Sequence, residues 1–308
     1  MKSISAKIFI AAFFLAAFIL ISASCAGAKE PAGTPGFDRE GNEIMIPASI
    51  SKIISMGPSN TEVLIALGAG DKIIAADEYS YGIAGLNSGI PLFSMMSPDG
   101  EQMMDIEPDL IIMTGMSKAG GTDPMEQVVN AGVCVAYIPS SNSIQGIIED
   151  IRFLAELVGL DARGEEIIAA MEREINFVRE IGRNIVNKKR VYFEISAAPW
   201  MYSFGSGVFL NEMVEIAGAI NIFADQNEWI AVSDEIVPDA NPDVILTSVN
   251  YLDDPVGEIL SRIGWEGIKA VADGNVYSID TDSSNRPSHN IVIALKQIAE
   301  AVYPEHYR

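Results

Sequence analysis

The stretch that decides the fold occurs twice, as "EQMMDIEPDLI" at residues 101–111 and as "EIVPDANPDVI" at residues 235–245. In both copies a glutamate is followed seven residues later by Pro-Asp and then by an apolar run. Pro-Asp before an apolar run is ordinary turn chemistry, so a single copy would indicate only where a buried strand begins. Two copies with the same glutamate offset predict two lobes of related construction.

Apolar runs and amphipathic segments alternate around each copy. The strand-like runs are "SKIISMG", "DKIIAAD", "DLIIMTG" and "VCVAYIP" in the first half, and "RVYFEIS", "DVILTSV" and "NVYSID" in the second. Segments with helical patterns separate them, and such alternation predicts an α/β fold with mostly parallel sheets. We assign residues 37–160 to an N-terminal α/β lobe and residues 188–308 to a C-terminal α/β lobe.

A single long helix is predicted to join the two lobes over residues 161–187. Its apolar positions recur at helical spacing, namely Ile167, Ile168, Met171, Ile175, Val178, Ile181 and Ile185. A shorter helix is predicted in "SNTEVLIALGAG", residues 59–70. There Ser59 and Glu62 match the S-x-x-E capping box, and the glycines at the end of the segment stop the helix.

The first 24 residues have the layout of a signal peptide. Two lysines precede an uncharged apolar run at residues 8–21, which is shorter than the roughly 20 residues of a transmembrane helix. A retained membrane anchor is the alternative. "SASC" resembles a bacterial lipoprotein box, although Ser22 stands where a leucine is typical. We therefore expect lipidation of Cys25, a flexible tether over residues 25–36, and an extracytoplasmic protein anchored to the cell membrane on its periplasmic or cell-surface side.

Charge and cysteine content exclude several classes of protein. The chain has 20 Lys and Arg residues against 42 Asp and Glu residues, a formal net charge of −22. Nucleic acid is not an expected partner, because phosphate binding needs a basic face. The two cysteines are Cys25 and Cys134, so lipidation of the first leaves no intramolecular disulfide. Cys134 lies in an apolar run and is predicted to be an inert core thiol. No cysteine cluster indicates a metal site.

Along nearly its whole mature length the chain resembles the solute-binding proteins of ABC importers that handle cobalamin, haem and ferric siderophores. The matching stretches are "KIISMGPSNTEVLIALGAGDKIIAADEYS", "EQMMDIEPDLIIMTG", "YFEISAAPWMYSFGSGVFLNEMVEIAGAINIF", "WIAVSDEIVPDANPDVIL" and "RPSHNIVIALKQIAEAVYPE". The resemblance implies the class III periplasmic-binding-protein fold, a metal-chelate ligand, and an ABC permease with its ATPase as partners. It implies no enzymatic activity and no cofactor. A single joining helix also predicts modest closure of the lobes.

Candidate ligand contacts lie in loops at the strand ends, where two facing lobes would form a cleft. Aromatic and thioether side chains suit a broad flat ligand, because they supply apolar area with little rotamer entropy to lose. Such side chains occur at Tyr79, Met95, Trp200 and Trp229, with Tyr81, Met96 and Tyr202 nearby. Core packing is the alternative for each. The resemblance places Tyr79 and Trp229 where cobalamin binders of the family carry pocket aromatics.

The stretch "DTDSSNRPSHN", residues 280–290, places scarce cationic groups in a polar turn. The resemblance makes this turn the last loop of the second lobe, at the border of the cleft. Arg286 offers a rigid fork of donors for a carboxylate or amide, and Asp282 could orient it or accept from ligand amides. A surface arginine beside a helix start is the alternative. His289 is interpreted as a residue at the start of the next helix rather than as a metal ligand.

Glu101 and Glu235 are predicted to dock to the permease. The resemblance implies one outward glutamate on each lobe that pairs with permease arginines, and the repeat places these two acids at matching positions. Solvated acids at helix starts are the alternative, since a carboxylate there suits the helix dipole.

The ligand class and the function remain open between named alternatives. A corrinoid is favoured slightly over haem or a ferric siderophore, because a siderophore usually needs several cationic groups and only Arg286 can be assigned. Haem would need an axial ligand, which Tyr79, Met95 or His289 could supply. A lipoprotein enzyme or adhesin that reuses the two-lobed fold is the alternative function. No nucleophile elbow or complete dinucleotide fingerprint supports an enzyme.

Overall fold

The computed structural model describes residues 33–118 and 123–307. The strands in this part of the chain are β1 (Gly33–Phe37), β2 (Glu43–Pro47), β3 (Ile53–Ser55), β4 (Ile73–Asp77), β5 (Leu92–Phe93), β6 (Leu110–Thr114), β7 (Cys134–Ile138), β8 (Arg190–Glu194), β9 (Tyr202–Phe204), β10 (Ile220–Asn221), β11 (Trp229–Ala231), β12 (Val244–Thr247) and β13 (Val276–Ser278). The helices are α1 (Pro58–Leu67), α2 (Gly100–Asp105), α3 (Glu126–Asn130), α4 (Ile144–Val158), α5 (Asp161–Arg183), α6 (Phe209–Ile216), α7 (Ile236–Ala240), α8 (Pro255–Leu260), α9 (Lys269–Ala272), α10 (Thr281–Asn285), α11 (Ile291–Val302) and α12 (Pro304–Tyr307). The predicted signal peptide and Cys25 lie outside the described residues.

Each lobe is built on a parallel sheet, and the two sheets share a strand order. The N-terminal sheet runs β5-β4-β3-β6-β7 and the C-terminal sheet runs β10-β8-β12-β13. All neighbouring pairs within these two sheets are parallel. If β5 is set aside, each sheet has four strands. Across each sheet, the second strand along the chain lies at one edge, followed by the first, the third and the fourth. The predicted fold class, two α/β lobes with mostly parallel sheets joined by one long helix, is confirmed.

The repeated Pro-Asp makes the same connection in both lobes. The backbone N–H of Asp109 donates to the carbonyl of Lys52 at 2.9 Å, and its Oδ2 accepts from the N–H of Lys52 at 2.9 Å. Asp243 pairs with Arg190 in the same way, at 2.9 Å and 2.8 Å. These reciprocal bonds tie the start of β6 to β3 and the start of β12 to β8. The repeat therefore sets strand neighbours, which is why it carries the fold.

Each sheet has one face packed against a core that both lobes share and the other face packed against a core of its own lobe. Along β6, Leu110 and Ile112 face a core that continues through α5 into the C-terminal lobe, while Ile111 and Met113 face a core of the N-terminal lobe alone. In the C-terminal lobe Val244 and Ile245 divide in the same way. Because α5 is buried against both lobes along one stripe, it holds them at a defined distance.

The structure corrects three local expectations. Residues 33–36 were assigned to the flexible tether from their Gly and Pro content, but they lie in β1, which pairs antiparallel with β2. The joining helix was predicted to reach residue 187, but α5 ends at Arg183. The capping box at the start of α1 is wrong, because the helix begins at Pro58 with Gly57 as its N-cap and has no side-chain cap. Pro58 favours this earlier start, since its fixed φ suits the first helical position.

Across residues 33–118 and 123–307, none of the helices combines the length and the apolar character that crossing a membrane requires.

Candidate functional site

A cleft of about 300 Å³ lies at the carboxyl edge of the N-terminal sheet, where segments of both lobes meet. Its lining residues follow the ends of β3 to β7 and include one segment of the C-terminal lobe: Gly57–Asn60, Tyr79, Met95, Met96, Thr114, Met116, Ile138–Ser140 and Asn285–Pro287. The loops after parallel strands gather at one edge of a sheet, which is where open α/β proteins bind ligands. The structure therefore brings together Tyr79, Met95 and Arg286 from the predicted set.

A buried carboxylate positions Tyr79. Asp77, at the end of β4, has no exposed surface, and its Oδ1 accepts from the backbone N–H of Tyr79 at 2.9 Å. Its Oδ2 accepts from the N–H of Gly57 at 2.8 Å and from Ser80 Oγ at 2.5 Å. Gly57 has φ 121°, a conformation that side chains other than glycine rarely adopt. This small network fixes the backbone on which the half-exposed Tyr79 ring is mounted.

Three methionines supply the apolar part of the cleft. Met95 is 9% exposed, whereas Met96 and Met116 are 49% and 46% exposed. The hydroxyl of Ser117 donates to the carbonyl of Met95 at 3.0 Å and holds the two loops together. Flexible thioethers adapt to irregular ligand surfaces, so this wall suits a large apolar face better than a small polar solute.

Arg286 closes the cleft from the C-terminal lobe and is already paired. Its Nη1 lies 2.8 Å from Glu62 Oε1 and its Nη2 lies 2.8 Å from Asp282 Oδ1. Glu62 lies on α1 of the N-terminal lobe and is 7% exposed. The residue that resembled half of a capping box is therefore a contact between the lobes.

Two further donors from the C-terminal lobe bind the same carboxylate. Ser288 Oγ donates to Glu62 Oε2 at 2.6 Å, and Asn290 Nδ2 donates to the same oxygen at 2.9 Å. A buried carboxylate is costly unless it is paired and hydrogen-bonded, and these donors meet both requirements. The contact consequently fixes the orientation of the lobes next to the cleft.

A second groove of about 480 Å³ lies on the other side of the Arg286–Glu62 contact. Its lining includes Asp282, Arg286 and His289 from the C-terminal lobe and Tyr81 from the N-terminal lobe. Asp282 and His289 thus belong to this groove, apart from the wall of Tyr79 and Met95. Within residues 33–118 and 123–307, no group of three or more His, Cys, Asp or Glu side chains could hold a metal ion.

The predicted tryptophans lie on the C-terminal lobe and outside the lining of the cleft. Trp200 is 78% exposed in the loop after β8, and Trp229 is 51% exposed on β11. Trp229 meets Phe204 edge-on, with ring centroids 6.3 Å apart. The sequence analysis did not select Tyr251. Its hydroxyl shares a hydrogen bond of 3.2 Å with Ser196 Oγ, and it accepts a second one from the N–H of Ala197 at 2.8 Å. Trp200 follows β8, Trp229 lies on β11 and Tyr251 follows β12, and all three side chains are exposed.

Glu101 and Glu235 occupy matching places in the two lobes. Glu101 is in the first turn of α2, and Glu235 is the N-cap residue of α7. Both side chains are exposed. Each helix leads directly into the Pro-Asp turn of its lobe, so the shared offset in sequence becomes a shared position in structure.

Met116, in the lining of the cleft, and Glu62, in the lining of the second groove, are among the residues that the sequence analysis did not select for the site. The sequence could have indicated Met116, because it directly follows a predicted strand, and Tyr79 was selected for a similar position. The sequence pattern around Glu62 was misleading, because the S-x-x-E capping box accounted for this residue without reference to residues 286–290. Cys134 is buried as predicted, and burial raises the pKa of its thiol to about 11, with Asp38 as a smaller cause.

The chain matches the model of a family described as periplasmic binding protein over residues 53–283. A Bacillus subtilis relative, named uncharacterized ABC transporter substrate-binding lipoprotein YvrC, is 27% identical over 276 residues, covering 88% of this chain and 86% of the relative. A vitamin B12-binding protein of Yersinia pestis is 27% identical over 262 residues, covering 83% of this chain and 88% of the relative.

A solved structure supports the same assignment. The periplasmic haem-binding protein RhuT from Roseiflexus sp. RS-1 has a TM-score of 0.71 and 25% identity, covering 83% of this chain and 99% of that protein. The two lobes joined by α5 are the class III arrangement that the resemblance implies. Because the family match spans most of both lobes and their joining helix, this chain belongs to the periplasmic binding protein family.

Proposed function

We propose that this chain is the extracytoplasmic substrate-binding lipoprotein of an ABC importer, which captures a metal-chelate nutrient between its lobes and delivers it to the permease and its ATPase. The observation that carries the proposal is the cleft, which combines the Tyr79 ring, three methionines and one arginine at the junction of the lobes. The names of the relatives, for lipoprotein, vitamin B12 and haem binding, support the same class of function. The protein binds and releases its ligand without chemical conversion.

A corrinoid fits the cleft best among the three chelates. Arg286 is the only Lys or Arg among the described lining residues, and Glu62 and Asp282 face it. Ferric siderophores with net negative charge would meet little positive potential here. A corrinoid presents neutral amides around a broad ring, which the methionines and Tyr79 can cover.

Haem is the second candidate, and Tyr79, Met95 and His289 are its possible axial ligands. Tyr79 and Met95 line the cleft, whereas His289 lies in the second groove. Haem bound in the cleft would therefore be ligated by the phenolate of Tyr79 or the thioether of Met95. Its propionates would need Arg286 to leave Glu62.

Membrane attachment belongs to the same proposal. Lipidation of Cys25 would hold the protein at the extracytoplasmic face of the membrane, with a short tether before β1. The name of the Bacillus subtilis relative, a lipoprotein, supports this anchor. A tethered receptor samples the permease at high effective concentration, which favours repeated delivery.

The test is retention of chelates by the purified mature protein. Cyanocobalamin, haemin and a ferric hydroxamate siderophore are each incubated with the protein, and absorbance spectra are recorded after gel filtration. We expect the corrinoid to be retained, and we expect Tyr79→Ala to weaken binding about 10- to 100-fold, the usual loss for a packed aromatic anchor. Phe177→Ala, an exposed aromatic on α5 away from the cleft, is the matched control. Retention of none of the three chelates would contradict the proposal.

A further inference from the structure

We propose that Glu62 is a specificity-determining residue, which makes the cleft select chelates without carboxylates at the edge of the ring by holding the guanidinium of Arg286. The inference rests on the proposed function and goes further by naming the feature of the ligand that is selected. It concerns a residue that touches the ligand-facing arginine rather than the ligand.

The charges around Arg286 carry the first step. One guanidinium lies 2.8 Å from a carboxylate oxygen of Glu62 and 2.8 Å from one of Asp282. The three side chains together therefore carry one negative charge. An approaching carboxylate meets a neutralised cation, and it has to compete with two carboxylates that are already in place.

The burial of Glu62 makes the competition unequal. Glu62 is 7% exposed, whereas Asp282 is 58% exposed at its side chain. Ser288, which is fully buried, and Asn290 hold the second oxygen of Glu62 in position. If Arg286 turned toward a ligand anion, the Glu62 carboxylate would stay behind without a counter-charge, which is strongly unfavourable in a buried site. Asp282 would return to water at little cost.

No second cation in the described lining can take over the role of Arg286. Lys118 lies two residues beyond the lining residue Met116 and is directed elsewhere. Its Nζ is 2.8 Å from Glu40 and 3.4 Å from the centroid of the Tyr137 ring. An anionic chelate therefore either breaks the Arg286–Glu62 contact or remains unpaired, whereas a neutral amide-edged chelate does neither.

The contact also joins the lobes, so selection by charge is coupled to their orientation. Arg286, Ser288 and Asn290 all belong to the C-terminal lobe, and Glu62 belongs to the N-terminal lobe. A ligand that removes Arg286 from Glu62 also removes the charged part of this interlobe contact. A neutral ligand leaves the contact intact while it fills the space beside it.

The experiment compares ligands in two pairs, and the members of each pair differ in the carboxylate charge at the edge of the ring. Cyanocobalamin is paired with a cyanocobalamin in which one peripheral amide is hydrolysed to a carboxylate. Haemin dimethyl ester and haemin form a second pair. Dissociation constants are measured by titration for wild type, Glu62→Gln and Asp282→Asn, and circular dichroism confirms folding. Gln keeps the shape of Glu62 and one acceptor oxygen but removes its charge.

We expect wild type to bind the neutral member of the pair at least about tenfold more tightly. In Glu62→Gln this preference should shrink about tenfold or reverse, while affinity for the neutral ligand changes less than about threefold, because Arg286 is released from its buried partner. Asp282→Asn is the matched control, and its preference should stay within about threefold of wild type, because the Asp282 carboxylate is exposed to water.

The outcomes separate the inference from the proposed function. An unchanged charge preference in folded Glu62→Gln overturns the inference, and so does a wild type that binds the carboxylate form more tightly than the neutral one. The charge preference of wild type tests the inference even if Glu62→Gln does not fold. If wild type binds none of the four ligands, the proposed function itself is overturned.

Discussion

The imidazole of His289 lies half-buried in the second groove, directly before the N-cap residue of α11. Its Nδ1 is buried and has no hydrogen-bond partner among residues 33–118 and 123–307. Burial lowers the pKa of His289, the Glu62 carboxylate raises it in part, and Arg163 lowers it further. The neutral imidazole is thus the form that the fold accommodates.

This environment predicts a pH dependence of stability. Because the pKa of the folded protein is below the unfolded value near 6.5, the unfolded chain takes up the proton first as pH falls. The stability that neutral His289 contributes is present above pH ~6.5 and is lost as pH falls toward the folded pKa. The melting temperature of wild type should therefore drop more between pH 7.5 and 5.0 than that of His289→Phe. Thermal melts in matched buffers check this, and equal drops would show that burial does not bias the protonation of this residue.

At the scale of an element, α5 shows how closely a predicted helix is fitted to its surroundings. Its buried stripe, including Ile167, Met171, Ile175 and Val178, follows the spacing seen in the sequence. The stripe ends at Gly182. A Cβ placed there would lie 2.2 Å from the carbonyl oxygen of Ile216 in the C-terminal lobe. The helix therefore touches backbone where a side chain has no room.

Gly182→Ala reverses the usual effect of this substitution. Alanine in a helix normally stabilises by about 1 kcal/mol relative to glycine. Here the close backbone should lower the free energy of unfolding by about 1–3 kcal/mol, as overpacking does in cores. Glu172→Ala, at an exposed position of the same helix, should change it by less than about 0.5 kcal/mol. Urea titrations measure both, and a stabilised Gly182→Ala would mean that α5 moves easily against the C-terminal lobe.

At the scale of the whole molecule, the repeat gives each lobe one exposed glutamate at an equivalent site. We propose that Glu101 and Glu235 meet permease arginines, one on each side of the transporter. Exposed charges of this kind contribute little to folding, but they steer association and fix its orientation. Replacing both should therefore affect delivery and leave ligand capture alone.

Transport in reconstituted vesicles tests the docking role. The Glu101→Ala/Glu235→Ala variant should transport about tenfold less, the lower range for lost electrostatic steering, with unchanged ligand affinity. Wild-type transport should weaken as salt rises, because exposed charges are screened. Glu156→Ala/Glu300→Ala removes one exposed acid from each lobe at unmatched positions and should behave as wild type. Normal transport by the first variant would contradict docking, and lost ligand binding would assign the two glutamates to the ligand site.

The sequence by itself determined the architecture, because the information is local or repeated. Short continuous apolar runs predict strands, the 3.6-residue stripe predicts α5, and the two Pro-Asp copies predict equivalent strand starts. It also indicated which loops carry Tyr79 and Met95, since loops after parallel strands gather at one edge. The sequence did not determine where every element ends. β1 and the end of α5 differ from expectation because composition does not report the partner strand or the adjoining lobe.

Only the tertiary structure decided the role of Glu62 and the state of Arg286. The two residues are 224 positions apart, so no periodicity or motif connects them. The local pattern S-x-x-E is typical of a helix start. The donors that bind Glu62 come from residues 286–290 and are near it only in the folded protein. Trp200, Trp229 and Tyr251 likewise lie on the C-terminal lobe, outside the lining of the cleft that contains the three methionines. Burial and charge pairing depend on which distant atoms become neighbours, and that is a property of the folded molecule.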